Sequence, residues 1–258
     1  LVQSNWNIYM VINEMSRVTE KFARYEFKYL LNKKISSLIE DEVRYFMKYD
    51  GHIHPELRNR YFVRSLYFDN LLSSNFYEKV DGIKNRRKYR LRTYSKHLDK
   101  NVPIYLEEKG RRNERTYKVR TKINHNHIQY FLNRKYIRLL LSLYPDNQLI
   151  KNFSFDCIRK NIVPRVLIDY KRRPYINKHG TYFRLTFDES VSSIISSQLF
   201  IENKQWLECR AGYTILEVKF DRSMPPWFHR IIQNYNLRRL SISKFVIGME
   251  RCGIAYDI

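Results

Sequence analysis

Lys88-Tyr89-Arg90-Leu91-Arg92-Thr93-Tyr94 alternates charge and apolar bulk residue by residue. That period of two belongs to a β-strand, whose successive side chains point to opposite faces. Lys88, Arg90 and Arg92 therefore share one face, and Tyr89, Leu91 and Thr93 the other. The same pattern recurs along the chain. In Ile104-Tyr105-Leu106-Glu107-Glu108-Lys109, Glu107 and Lys109 lie together opposite Ile104 and Leu106. Arg184 and Asp188 oppose Phe183, Leu185 and Phe187, and Glu217 and Lys219 oppose Leu216, Val218 and Phe220. Further strands are expected over 25–29, with Glu26 and Lys28 on one face, and over 61–68, 115–120 and 163–173.

The period changes to that of a helix over 31–47 and 128–143, and again after Pro225-Pro226, ahead of Trp227, Ile231 and Tyr235. The expected stripe of the second helix is Ile128, Phe131, Leu132, Tyr136, Leu139, Leu140 and Leu143. Many strands with a few interrupting helices, and no repeat or linker-like shift of composition, predict one α+β domain around a large antiparallel barrel or strongly curved sheet. Residues before about Met15 carry little pattern and read as an extension.

Across 258 residues, 48 Lys and Arg face 26 Asp and Glu, a formal net charge of +22. Such an excess repels itself in a compact chain and calls for a polyanionic partner: nucleic acid, an anionic membrane surface or a polyphosphorylated small molecule. A disordered basic tail is excluded, because hydrophobic residues make up 43% and aromatics 15%. Cys157, Cys209 and Cys252 show neither a disulfide framework nor zinc-type spacing, so a reducing cytoplasm is the expected setting. The apolar runs are too short to span a bilayer, and no signal peptide is expected.

One strand with a charged face is ordinarily just wet on that side. Here the charged faces are mostly cationic with isolated glutamates, and the apolar faces need the helices as cover. The charged side then becomes the concave interior. Two unit charges 4 Å apart repel by roughly 4 kcal/mol at an effective dielectric of about 20, so a set of unpaired cations there requires phosphates to neutralise it. Arginine grips phosphate oxygens bidentately and lysine acts as a point charge, while a glutamate among them suits a divalent metal bridging phosphates.

The motifs, in order, resemble those of the VTC domain, the polyphosphate-polymerase domain among the triphosphate tunnel metalloenzymes. They are Arg24-Tyr25-Glu26-Phe27-Lys28-Tyr29, Ser65-Leu66-Tyr67-Phe68-Asp69-Asn70, Phe76-Tyr77-Glu78-Lys79, the Lys88–Tyr94 strand, Leu106-Glu107-Glu108-Lys109, Tyr170-Lys171-Arg172, Arg184–Asp188, Leu216-Glu217-Val218-Lys219 and Ser243-Lys244-Phe245-Val246-Ile247-Gly248. The resemblance runs from about Arg24 to Met249. It implies an eight-stranded antiparallel β-barrel tunnel with flanking helices, a single domain over 21–258 behind an N-terminal extension of residues 1–20. It also implies transfer of the γ-phosphoryl group of ATP to a growing polyphosphate chain. Carried over residue by residue, Arg90, Arg92, Lys109, Arg172 and Arg184 would act on the reacting phosphates, and Lys28, Lys79, Lys118, Lys219 and Lys244 would bind the chain. Glu217, with Glu26 and Glu107, would hold Mn2+ or Mg2+. The expected partners are ATP and inorganic polyphosphate, with a membrane protein for export of the polymer at the inner face of a membrane.

Related triphosphatases and class IV cyclases open with Glu-x-Glu-x-Lys, whereas this chain reads Arg24-x-Glu26-x-Lys28, which favours the polymerase branch. Ser241 stands where eukaryotic polymerases carry another lysine. The rival readings are a triphosphatase on the same fold, a non-catalytic polyphosphate-binding module and an RNA-binding protein using the cations and tyrosines between Lys79 and Lys122. The clusters Lys84-Asn85-Arg86-Arg87 and Arg111-Arg112 read as solvated loops, so nucleic acid is not the expected partner. His52 and His54 are assigned to a loop, His125 and His127 to a helix start, and Asp41 and Glu42 to the wet side of a helix.

Overall fold

The computed structural model describes residues 25–51, 58–113, 115–202 and 205–257. The expected extension over 1–20, together with His52 and His54, lies outside the described residues. The chain begins with β1 (Tyr25–Asn32), α1 (Lys33–Phe46), β2 (Met47–Tyr49), β3 (Tyr61–Asp69) and α2 (Ser74–Val80). Next come β4 (Arg86–Thr93), β5 (Ile104–Arg112), β6 (Arg115–Ile123), α3 (Ile128–Leu132), α4 (Ile137–Leu143) and α5 (Gln148–Arg159). It ends with β7 (Val163–Asn177), β8 (Phe183–Ile195), β9 (Leu207–Glu208), β10 (Tyr213–Phe220), α6 (Pro226–Asn234) and α7 (Lys244–Arg251).

The eight expected strands form one antiparallel path, β1-β10-β8-β7-β3-β4-β5-β6, with the short β2 and β9 attached to β7 and β8. The sheet curls into a half-barrel, and among the described residues β1 and β6 end the path without pairing to each other. The free edge of β1 is instead met by the segment before α7, where the Leu240 amide donates to the Lys28 carbonyl at 2.9 Å.

Alternation assigns the two faces. On the outer face, Leu66, Phe68, Tyr89, Leu91 and Leu106 pack beneath α3, α4 and α5, with Phe153 edge-on to both Phe68 and Tyr89. Farther round the curve, Leu31, Phe183, Leu185, Leu216 and Val218 pack beneath α1 and α6. A third cluster, containing Val63, Tyr67, Ile168, Tyr170, Phe76, Phe245 and Met249, lies on the inner face, so α2 and α7 plug one end of the curl. The approach is close: a Cβ at Gly248 would meet Ile168 Cδ1 at 2.7 Å.

The expected single helix over 128–143 is broken. Asn133 is extended (φ −132°, ψ 119°), and its side chain caps a new turn by accepting from the Lys135 amide. The break rotates the second half, so Ile137 and Leu140 point inward while Leu139 and Leu143 are turned out to 41% and 38% exposure. A local asparagine cap has overridden a continuous apolar stripe. Three helices escape the sequence reading: α2 and α7 are too short to show a period, and α5 follows so closely on α4 that their stripes merge. Among the described residues no helix is long and apolar enough to cross a membrane.

The motif that ends β3 acts as a clamp. Asp69, fully buried, accepts from the amides of Asn70, Asn75 and Phe76 at 2.8, 2.9 and 3.1 Å. Asn70 adds two bonds to Ser74, one to its amide and one to its hydroxyl. Together they fix the start of α2, which carries Lys79. Replacing Asp69 by Ala strands three amides at once, and we expect unfolding in urea to show a loss of about 2–3 kcal/mol. Unchanged stability would contradict the clamp.

Candidate active site

The concave face encloses a cavity of about 1660 Å³ to which all eight strands of the path contribute side chains. Among the described residues its lining carries sixteen Lys and Arg side chains against four carboxylates, so the +22 of the chain is concentrated where alternation places it. The register explains how such a surface folds. Arg90 lies directly opposite Glu107, Arg172 opposite Asp188, and Lys28 opposite Glu217. Opposite charges facing each other across strands are the stabilising arrangement.

Two of these carboxylates lie beneath the cavity surface. Glu107 has no exposure; Arg90 reaches it at 2.6 Å, Lys118 at 2.6 Å and Arg92 at 3.7 Å. Burial opposes its charge, yet Arg90, Arg92 and Lys118 hold its pKa well below the usual carboxylate range. Asp188, equally buried, takes both arms of Arg172 at 2.6 and 2.7 Å and also pairs with Lys244. Hydroxyls complete the support: Tyr67 accepts from Arg90 at 2.7 Å, and Ser65 accepts from Arg92 at 3.1 Å. Ser65, Tyr67 and Asp69 are alternate residues of one strand, so a single motif orients two arginines and then fixes the helix bearing Lys79.

Glu217 lies at the cavity surface with Arg172 at 3.2 Å, Lys244 at 3.5 Å, Lys219 at 3.6 Å and Lys28 at 3.7 Å. Burial opposes its ionisation, but these four cations keep its pKa well below the ordinary value. Lys28 joins it to Glu26 at 3.1 Å, and Lys109 reaches Glu26 from β5 at 3.2 Å, across the mouth between β5 and β1. Of the three carboxylates expected at a metal, the fold brings Glu217 and Glu26 together and sends Glu107 under Arg90. Among the described residues no three His, Cys, Asp or Glu side chains converge as a metal site. One or two carboxylates wrapped in ammonium groups fit a divalent cation delivered with phosphate oxygens, and do not fit a cation held by protein alone.

The remaining expected cations also reach the cavity. Arg184 pairs with Asp50 at 2.7 Å, and Lys79 donates to the Ser241 hydroxyl at 3.0 Å. Of the loop clusters read as solvated, Arg86 and Arg111 line the cavity. Arg87 lines it too, and also holds the buried Asp156 of α5 at 2.7 and 2.9 Å. The histidines stay outside, His125 on the Val102 carbonyl and His127 on the Tyr144 hydroxyl. Glu42 is not simply wet, since Tyr235 donates to it at 2.6 Å. Sequence reasoning missed the hydroxyls of Ser65, Tyr67, Ser241 and Ser243. The signal was their place on the cationic face or beside Lys244.

Lys118 is a pH-sensitive cation of the site. Burial, with Arg90 and Arg92 close by, lowers its pKa to about 7 despite Glu107. A bound polyanion favours the charged amine and raises that value. Between about 7 and its ordinary 10.5, binding therefore takes up a proton, and affinity falls as pH rises through that window. Calorimetry of tripolyphosphate binding in buffers of different ionisation enthalpy reads this uptake, and Lys118→Ala should lower it. Glu107→Gln, which leaves Arg90 and Lys118 without a counter-charge, should cost about 3 kcal/mol of stability. The affinity for Mn2+ added with tripolyphosphate, read by calorimetry, should not change; a marked loss would put Glu107 back among the metal ligands.

The VTC domain family matches residues 23–252. Among solved structures, HpAC1 from Hippeastrum, assigned as an adenylyl cyclase and described as having a dominant triphosphatase activity, superposes with a TM-score of 0.51 at 12% identity, covering 90% of this chain and 97% of that one. The PH1819 protein from Pyrococcus horikoshii OT3 aligns more loosely, with a TM-score of 0.46 and 12% identity over 88% of this chain and 99% of that one. No curated protein matches the sequence. At 12% identity the Hippeastrum structure speaks to the fold alone, a curled antiparallel sheet with flanking helices. With the family match across most of its length, the chain belongs to the VTC domain family.

Proposed function

We propose that this domain is a polyphosphate polymerase that transfers the γ-phosphoryl group of ATP to the end of an inorganic polyphosphate chain. The observation that carries the reading is the size of the cationic cavity. Small-ligand pockets occupy about 300–1,000 Å³; at about 1660 Å³ this one has room for a nucleotide triphosphate and a second phosphate chain together. Phosphoryl transfer needs alignment and charge neutralisation more than a protein nucleophile. Arg90, Arg92 and Arg172, locked by carboxylates and hydroxyls beneath them, would meet the reacting phosphates with little reorganisation. Lys28, Lys79, Lys109, Lys118, Lys219 and Lys244, with Arg184, would track the rest of the chain. A divalent cation would touch the protein through Glu217 with Glu26 beside it, and would supply neutralisation of charge on the bridged phosphate oxygens.

The second reading is hydrolysis in the same cavity, favoured by the triphosphatase activity ascribed to the Hippeastrum protein. Against it stands the first strand, which offers the single carboxylate of Glu26 where related triphosphatases open with Glu-x-Glu-x-Lys. Incubating the protein with ATP and Mn2+ separates the two. We expect ADP and polymer, abolished by a chelator. Arg92→Ala should lower kcat/KM by about 10²–10³-fold with circular dichroism unchanged. ADP with orthophosphate as the sole other product would sink the polymerase reading, and tight polyphosphate binding without turnover would leave a binding module.

A further inference from the structure

Ser243 precedes α7 at its N-cap position, yet its side chain makes no capping hydrogen bond. The hydroxyl instead lies 3.3 Å from Lys88 Nζ, and both residues line the cavity. Contacts made by its two neighbours hold it there. The Ile242 carbonyl accepts from Lys28 at 2.9 Å, and Lys244 is pinned to Asp188. Lys88 differs from its neighbours. Among the described residues no carboxylate pairs with it; it lies over the Phe245 ring at 4.6 Å, facing Lys109, Lys28, Arg90 and Lys79. Burial and then those four cations push its pKa well below the ordinary lysine value. A lysine whose charged form is disfavoured, in contact with a serine hydroxyl, has the geometry of a nucleophile–base pair.

We propose that Ser243 is itself a phosphoryl acceptor, with Lys88 as its general base, so that the first phosphoryl group drawn from a nucleoside triphosphate is carried on the protein and primes the chain. The inference rests on the reading of the cavity as a nucleotide phosphotransfer site. As ammonium, Lys88 donates to Oγ; as free amine, it receives the hydroxyl proton across the same contact. Oγ attacks the γ-phosphorus, and the new Oγ–P bond forms as the bond from that phosphorus to the β,γ-bridging oxygen breaks. The nucleoside diphosphate leaves with the electron pair, and the proton stays on Lys88. The ammonium so formed lies beside the phosphoserine it helped to make, and the serine phosphate then offers an oxygen to the next transfer. Nothing is oxidised or reduced. Ser241, the other hydroxyl of the strap, touches Lys79 but is exposed to water, which suits it less as an acceptor.

The test is incubation with γ-labelled ATP and Mn2+, acid quench, and peptide mapping by mass spectrometry, with polymer measured in the same samples. We expect label at Ser243 first, and then a chain still joined to the protein through the Oγ–P bond. Ser243→Ala should lose the label and make polymer only when tripolyphosphate is added as acceptor. Lys88→Arg, which keeps a cation but removes the base, should cut labelling by about 10²-fold or more. Thermal melting checks that both variants fold. Polymer made by unlabelled protein, label at Ser241 instead, or Ser243→Ala working from ATP alone at the wild-type rate would each overturn the proposal and leave the polymerase reading standing. Label at Ser243 without polymer would uphold the acceptor and overturn the polymerase. Failure to turn over ATP at all would remove both.

Discussion

Beneath the cavity floor, two carboxylates with no exposure, Glu107 and Asp188, each hold cations that would otherwise repel one another. Burying a charge is costly unless a partner and hydrogen bonds accompany it. Here each carboxylate has two or more cationic partners, so the arrangement is anion-poor by design of the register. The cations above are fixed in place but not neutralised. This lets one surface be both foldable and strongly attractive to phosphate.

The same logic explains the division of labour among the side chains. Arginines sit on the buried anchors, where a planar fork with several donors can hold a carboxylate and a hydroxyl at once and still present an edge to the cavity. Apart from Lys118 and Lys244, which also reach those anchors, the lysines populate the mouth and the plugged end, on β1, β5 and α2, where a flexible point charge can follow a ligand. Glu217 and Glu26 are the exceptions at the surface, each shared among ammonium groups.

Closing the curl falls to elements outside the regular ladder. The segment before α7 pairs with the free edge of β1; its Ile242 carbonyl accepts from Lys28 of that strand, while Ser241 and Ser243 meet Lys79 of α2 and Lys88 of β4. A half-barrel edged by a strap rather than closed by an eighth ladder of the path keeps side-chain hydroxyls next to the cavity cations. A regular strand there would spend its backbone on pairing and point every second side chain away.

By itself, the sequence determined the strands, their two faces and the cationic identity of one of them, because a period of two survives in any local reading. Arg90 and Arg92 declare themselves in seven residues. The ordered motifs extended this to the family and to most of the cavity cations. Only the tertiary structure decided which carboxylates sink beneath the surface and which stay on it, since Glu26, Glu107 and Glu217 look alike in their strands. Cross-strand register and curvature separate them: Glu107 lies under three cations, while Glu217 and Glu26 meet across β1 and β10. The short helices α2 and α7, the break at Asn133 and the pairing of Lys88 with Ser243 were equally hidden. Each depends on contacts between residues far apart in the chain, which no local period encodes.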